Sequence, residues 1–501
     1  MVDVQTFSGV VRGGSEGGIS HFLGVSYAAA PFDGFRMRPP APVSWSGVRD
    51  ATAYGPTPPK GDYPPAIQLY FPEQTIHGDE CLNLNVWTPT DAVEGERAGS
   101  LPVLVWIHGG AFMNGSGSVT AYDGTGFARS GVVCVTINYR LGAEGFLFTE
   151  ADLGTGTANL GLQDQVAALQ WVQQNISAFG GDPARVTIAG ESAGGMSVTT
   201  LLAMPSAKGL FARAITQSGA AANTLTPEQG LLVAGLLAHV LGTATTREAI
   251  LTAELDSITK AASDLVVEVQ SAADPAKWGE LALSTLPFAP VVDGVVLPRH
   301  PLEAFADGVS SEVPVLVGTN SQEARLFLVA TGAIDGIDEA GLAAGAGAYG
   351  ATGEGIDVYR RHFPDDSPGD LLAHIVTDWY FGLPALRHAE AREQGGGLTW
   401  AYRFDRPLPE ENNGLGAAHA VELPFVFDTI DLPEQAPMVG QEPSRAVAES
   451  THGVWVRFVT EGNPGWEPYT TQTRATGILT ECVTVVEDPD GDLRRSWNGI
   501  R

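Results

Sequence analysis

The chain has 501 residues, 44% of them hydrophobic and 17% charged, with a formal net charge of −30. This is the profile of a globular protein with a large core. So acidic a surface argues against nucleic acid and against a basic membrane-surface helix.

No run reaches the ~20 apolar residues of a membrane span. The opening residues, Met1-Val-Asp-Val-Gln-Thr-Phe7, lack a charged segment followed by an apolar one, so no signal peptide is read and a cytoplasmic protein is expected. Three cysteines, Cys81, Cys134 and Cys482, are an odd number without close spacing, which argues against a disulfide framework and against a metal site. The lysines are Lys60, Lys208, Lys260 and Lys277, and no function is drawn from them.

Taken in order, residues 1–50 read as short strands at Val4-Gln-Thr-Phe7, Gly9-Val-Val-Arg12 and His21-Phe-Leu-Gly-Val-Ser-Tyr27. Prolines from Pro39 to Pro72 disfavour ladders, so that stretch is expected to wrap irregularly near a pocket mouth. Leu82-Asn-Leu-Asn-Val-Trp87 alternates with period two, as a half-buried strand does. Leu101-Pro-Val-Leu-Val-Trp-Ile107 and Val132-Val-Cys-Val-Thr-Ile137 are nearly all apolar, as strands covered on both faces are. The first ends in His108-Gly109-Gly110-Ala111-Phe112, the second in Asn138-Tyr-Arg-Leu-Gly142. Apolar residues at 162, 166, 169, 172 and 176 form one stripe of an amphipathic helix, broken by Phe179-Gly-Gly-Asp-Pro183.

Next comes a buried strand at 186–189, then Gly190-Glu-Ser-Ala-Gly194, then a helical run ending at Pro205. Strand, sharp turn and helix are the setting that Gly-x-Ser-x-Gly requires to present a serine nucleophile. The glycines relieve clashes in so tight a turn, and the helix N-terminus favours developing negative charge. Further strands follow at Ala212-Arg-Ala-Ile-Thr-Gln-Ser218, Val313-Pro-Val-Leu-Val-Gly318 and Thr399-Trp-Ala-Tyr-Arg-Phe404. Residues 225–280 and 335–395 read as helical insertions that cap the site, and 451–460 as a further helix. This alternation predicts one α/β domain over 1–501, with a mostly parallel sheet and helices on both faces.

A serine hydroxyl needs a base, and the base needs an orienting acid. Glu323 lies just past a buried strand, and His419 lies in a Gly-flanked loop, so the order Ser192, Glu323, His419 is that of α/β-hydrolases. Taken singly, the glutamate reads as solvated and the histidine as packed. The three motifs together lift them.

With these motifs the chain resembles the type-B carboxylesterases, the family that includes the cholinesterases and the bacterial p-nitrobenzyl esterases. The likeness runs through Phe22-Leu-Gly-Val-Ser-Tyr27, Asp79-Glu-Cys-Leu-Asn-Leu-Asn-Val86, Val105-Trp-Ile-His-Gly-Gly-Ala-Phe112 and Asn138-Tyr-Arg-Leu-Gly142. It continues through Phe179-Gly-Gly-Asp-Pro183, Gly190-Glu-Ser-Ala-Gly194, Gln217-Ser-Gly219, Pro290-Val-Val-Asp-Gly294 and His419-Ala-Val-Glu-Leu-Pro-Phe-Val-Phe427. The resemblance, strongest to the bacterial and actinobacterial branch, implies an α/β-hydrolase fold with a helical cap.

It also implies roles. Ser192 would be the nucleophile, Glu323 the acid and His419 the base. The amides of Gly110, Ala111 and Ala193 would bind the oxyanion, with Gly109 permitting the turn, and Glu191, Ser218 and Glu422 would hold the triad. An acid at 79 or 80 would pair with Arg36, although Asp79-Glu80 reverses the usual order. No cysteine precedes Cys81, so the disulfide of secreted relatives is not expected.

The expected activity is hydrolysis of neutral carboxylic esters of short to medium acyl chain, aryl esters included, without cofactor or metal, by a monomer. Phe112, Leu286, Phe288 and Phe327 are expected in the substrate pocket, although each reads equally well as core packing. The alternatives are a carbamate, aryl-amide or synthetic polyester-oligomer hydrolase with the same triad, and a catalytically dead adhesion module. The filled triad disfavours the module. Gly154-Thr-Gly156-Thr-Ala-Asn159 breaks the dinucleotide fingerprint at its third glycine.

Overall fold

The computed structural model describes residues 1–94, 99–220, 223–271, 274–405 and 414–501. Their strands are β1 (Val2–Gln5), β2 (Val10–Glu16), β3 (Ile19–Ser26), β4 (Val48–Asp50), β5 (Asn83–Pro89), β6 (Leu101–Ile107) and β7 (Val133–Ile137). Then follow β8 (Gly181–Glu191), β9 (Arg213–Gln217), β10 (Val315–Asn320), β11 (Thr399–Phe404), β12 (Ala475–Leu479) and β13 (Val483–Glu487). Among the described residues they form one sheet in the order β1-β2-β3-β5-β7-β6-β8-β9-β10-β11-β12-β13, with β4 beside β2. The run from β7 to β12 is parallel, and antiparallel pairs close both ends.

Both faces of the centre are covered. In β6 every side chain is buried. Val103, Val105 and Ile107 enter one core with Leu162, Val166 and Leu169 of helix Leu160–Asn175, while Leu104 and Trp106 enter another with Trp455 and Phe458 of helix Arg445–Glu461. The apolar β6 run needs both layers, because alternate side chains leave the sheet on opposite sides.

Two local readings change. β5, expected to be half-buried, is buried throughout. Its polar positions are satisfied internally: Asn85 Nδ2 donates to Thr136 Oγ1 (2.9 Å), and Asn83 Nδ2 to the Pro56 carbonyl (2.7 Å). The proline-rich stretch contains β4, which pairs parallel with β2. An edge position tolerates prolines on either side of so short a strand.

The helical segments include Pro227–Leu241 and Leu255–Ser271, and later Glu339–Ala348, Gly353–His362, Pro368–Thr377 and Leu383–Gln394. Leu342, Leu371 and Trp379 pack with Leu493 and Trp497 in a smaller core of their own. Among the described residues no helix is long and apolar enough to cross a membrane. Cys81 and Cys134 are buried and Cys482 is exposed, all unpaired.

Arg36 does not pair with an acid at 79 or 80. Its Nη2 lies 2.6 Å from Glu144 Oε1, while Glu80 Oε2 takes Arg49 at 2.6 Å and Ser26 Oγ at 2.9 Å. Glu80 thus pairs with a different arginine, and the Arg36 partner comes from the short helix Gly142–Phe146.

Candidate active site

Parallel strands deliver the candidate residues to one edge of the sheet, at their C-terminal ends, where open α/β sheets place ligands. β8 ends at Glu191, one residue before Ser192; β9 ends at Gln217, before Ser218; β10 ends at Asn320, three residues before Glu323. β6 ends at Ile107, before the 108–111 loop.

Ser192 has φ 55° and ψ −125°, and helix Ala193–Ala203 starts immediately after it. A non-glycine residue in that region costs ~1–3 kcal/mol and is kept only where its surroundings fix it. Here the Ser192 N–H donates to the Gln217 carbonyl (2.9 Å), and the Met196 N–H to the Ser192 carbonyl (2.8 Å). Gly194 sits so close to the Ile107 carbonyl that a Cβ has no room.

His419 is buried, and its Nδ1 donates to Glu323 Oε2 at 2.6 Å. The other Glu323 oxygen accepts from Ser218 Oγ (2.5 Å) and from the Asn320 N–H (2.8 Å). On the far side of the ring, Nε2 lies 3.0 Å from Glu191 Oε1, off the line of a directed hydrogen bond, so the contact is one of charge. Because Glu191 precedes Ser192 in the chain, this contact brings Nε2 to the serine turn. Glu422 is held by Asn320 Nδ2 (2.6 Å) and Gln217 Nε2 (2.9 Å), behind Glu323.

These neighbours set the electrostatics. Burial alone lowers the His419 pKa, but Glu191 and Glu323 outweigh it and hold the imidazole above its ordinary value of 6.5. Burial raises the Glu191 pKa; His419 opposes the rise, and Glu422 and Glu323 add to it. His108 is pushed down to about 3, chiefly by burial, and so stays neutral.

The 108–111 loop is fixed from below by Tyr139, whose ring stacks on His108 (4.5 Å) and whose hydroxyl donates to the His108 carbonyl (2.8 Å). A Cβ on Gly109 would stand 3.1 Å from Ser192 Cβ, so this loop lies directly against the serine. Ala111 and Phe112 both have positive φ, at 54° and 60°. Among the described residues none accepts a hydrogen bond from the amides of Gly110, Ala111 or Ala193.

Of the expected pocket residues, Phe327 is 44% exposed, with its ring 5.5 Å from that of His419. Leu286 is buried, 7% exposed, in the same core as the next two. Phe112 and Phe288 are fully enclosed in the core, Phe112 against Phe146 at 4.7 Å, so neither offers surface to a ligand. Sequence reading missed Phe381, whose ring lies 4.9 Å from His419 on a π-helical turn, Asp378–Gly382. The aromatic triplet Trp379-Tyr380-Phe381 was the available signal. The extra residue of the turn sends Trp379 to the small core, Tyr380 to the Ser284 carbonyl (2.6 Å) and Phe381 to the imidazole.

A family model for the carboxylesterase family matches residues 1–341 and 355–482. The chain belongs to the carboxylesterase family. Over 98% of its length this carboxylesterase is 38% identical to the para-nitrobenzyl esterase of Bacillus subtilis, covering 97% of that protein. It is 35% identical to the phenmedipham hydrolase of Pseudarthrobacter oxydans, over 92% of this chain and 90% of that one. The solved carboxylesterase of Geobacillus stearothermophilus superposes with a TM-score of 0.84 at 35% identity, with 99% of both chains covered. The fold is therefore the α/β-hydrolase fold, and the protein is a carboxylic ester hydrolase.

Proposed function

We propose that Ser192, His419 and Glu323 carry out acyl transfer, with the amides of Gly110, Ala111 and Ala193 as oxyanion donors. One observation carries this reading: His419 is bound through Nδ1 to Glu323 at 2.6 Å while its Nε2 faces the residue preceding Ser192. In the first step Nε2 leaves Glu191 for the Ser192 hydroxyl and takes its proton as Oγ attacks the ester carbonyl. The oxyanion is held by amides from the 109–111 loop and from the N-terminus of helix Ala193–Ala203, whose dipole adds to the stabilisation. The alcohol leaves with the proton from His419. Water then repeats the sequence on the acyl-enzyme, and Ser192 is regenerated.

Ser218 holds Glu323 in place, Glu422 stiffens the Asn320–Gln217 support, and Glu191 stabilises the imidazolium. Phe327 and Phe381 face the imidazole as apolar walls, and the helices of 225–280 and 335–395 act as the cap that carries Phe381. Apolar walls without a fixed cation suit neutral esters of short to medium acyl chain, aryl esters included. Leu286 is a further wall in this reading, whereas Phe112 and Phe288 support from behind. Three unpaired cysteines suit a reducing compartment, so the reading takes the enzyme as a cytoplasmic monomer.

A panel of p-nitrophenyl esters from C2 to C16 tests the substrate class, with the optimum expected below C12. An optimum at C12 or above contradicts the pocket. The likeness to a phenmedipham hydrolase favours a second reading, in which the same triad cleaves carbamates. Phenmedipham and p-nitroanilides in the panel decide between them.

A further inference from the structure

Lys60 and Glu73 form a buried ion pair outside the triad, at 2.5 Å, with side chains only 1% and 6% exposed. Burying two charges is costly unless each is fully used. Both are used on one residue. Lys60 Nζ donates to the Gly115 carbonyl (3.0 Å), and the Gly115 N–H donates to Glu73 Oε2 (2.9 Å). The pair therefore grips both main-chain polar groups of Gly115.

Gly115 has φ 92° and packs so closely on His108 and the Gly109 carbonyl that a Cβ cannot be placed there. Gly109 in turn lies against Ser192. The proline-rich stretch grips the same limb a second time, since Asn114 Nδ2 donates to the Gly61 carbonyl (2.6 Å). The Asn114 and Met113 amides return to the Gly110 carbonyl at 2.8 and 2.9 Å. Between these anchors stand Ala111 and Phe112, both held at positive φ. Such backbone persists only where its surroundings over-determine it.

We propose that Lys60 and Glu73 are positioning residues for acyl transfer, fixing the 109–111 amides where the oxyanion develops by clamping Gly115. The inference rests on the oxyanion role given to those amides above. The pair touches no reacting atom, and its effect on the reaction passes through main-chain geometry. A loop displaced by a fraction of an ångström loses donors that act in the transition state, and ground-state binding of the ester is left nearly intact.

The test compares wild type with Lys60→Met/Glu73→Leu, which removes both charges and leaves no buried ion unpaired. Turnover of p-nitrophenyl butyrate is measured beside inhibition by an alkyl trifluoromethyl ketone, which adds to the serine as a tetrahedral hemiketal. We expect kcat to fall roughly 10- to 100-fold with KM within about threefold, and the ketone to weaken in proportion. Lys260→Met, which breaks an exposed pair with Asp264, should leave both unchanged. If the double variant does not fold, Lys60→Met/Glu73→Gln, which also leaves no buried ion unpaired, is read by the same two ratios. A folded variant with wild-type kcat and ketone affinity overturns the proposal, whatever its thermal midpoint, and so does a rise confined to KM. Loss of the underlying oxyanion reading looks different: the trifluoromethyl ketone would then bind wild type no tighter than the unfluorinated methyl ketone, whatever the double variant does.

Discussion

Glu191 Oε1 and His419 Nε2 lie 3.0 Å apart, on the side of the imidazole away from Glu323. The ring is thus flanked by two carboxylates, which favour its protonated form against the opposing pull of burial. In the proposed acyl transfer the base must be neutral to accept the Ser192 proton, so activity requires a pH above the His419 pKa. The sign follows. Because that pKa is raised, the acid limb of kcat/KM should have its midpoint above 6.5. Glu191→Gln removes one of the stabilising charges and should move the midpoint down. A profile measured on a neutral ester that is unmoved or moves up in Glu191→Gln contradicts this electrostatic account.

Ser218 Oγ donates to Glu323 Oε1 at 2.5 Å. A hydrogen bond to a charged group contributes ~1.5–3 kcal/mol. Ser218→Ala should therefore lower kcat by roughly one to two powers of ten while KM holds, with the fold retained. Steady-state kinetics beside circular dichroism check this, and an unaltered kcat would show that Asn320 alone fixes the acid.

Gly194 has no room for a side chain, because the carbonyl of Ile107 occupies the Cβ position. Gly194→Ala must push β6 away from the nucleophile turn, at a cost of ~1–3 kcal/mol or more. Urea denaturation should show the loss, and the folded fraction should lose kcat as well. Gly235, inside helix Pro227–Leu241 with open space around its Cβ position, offers a control for adding a methyl group to a helical glycine.

Two ion pairs separate structure from surface. Glu144, paired with Arg36, is 7% exposed, and Glu80, paired with Arg49, is 49% exposed. Breaking a buried pair by removing one partner costs about 3 kcal/mol, whereas exposed pairs give ~0–1 kcal/mol. Glu144→Gln should lower the urea midpoint clearly and Glu80→Gln hardly at all. A larger loss in Glu80→Gln than in Glu144→Gln would contradict this ranking by burial.

What could be read beforehand follows from range. The serine turn is local, since glycine spacing, apolar strand and following helix all lie within 181–203, and the strands that carry Glu323 and the 108–111 loop are apolar runs. The Arg36 partner lies 108 positions away in an unrelated helix, where charge order gives no guide. Phe112 and Phe327 look alike in a sequence, yet one is enclosed and the other 44% exposed, because only packing distinguishes core from wall. Phe381 depends on one π-turn that helical periodicity does not reveal. Nothing local in the sequence marks Lys60 and Glu73, because what joins them is the main chain of Gly115, 55 and 42 positions further on.

The central claim is that Ser192 is the nucleophile that His419 activates, and turnover of p-nitrophenyl butyrate by Ser192→Ala tests it most directly. The account expects a folded protein whose kcat falls on the order of 10⁶-fold. A folded Ser192→Ala enzyme that retains turnover within tenfold of wild type would contradict it.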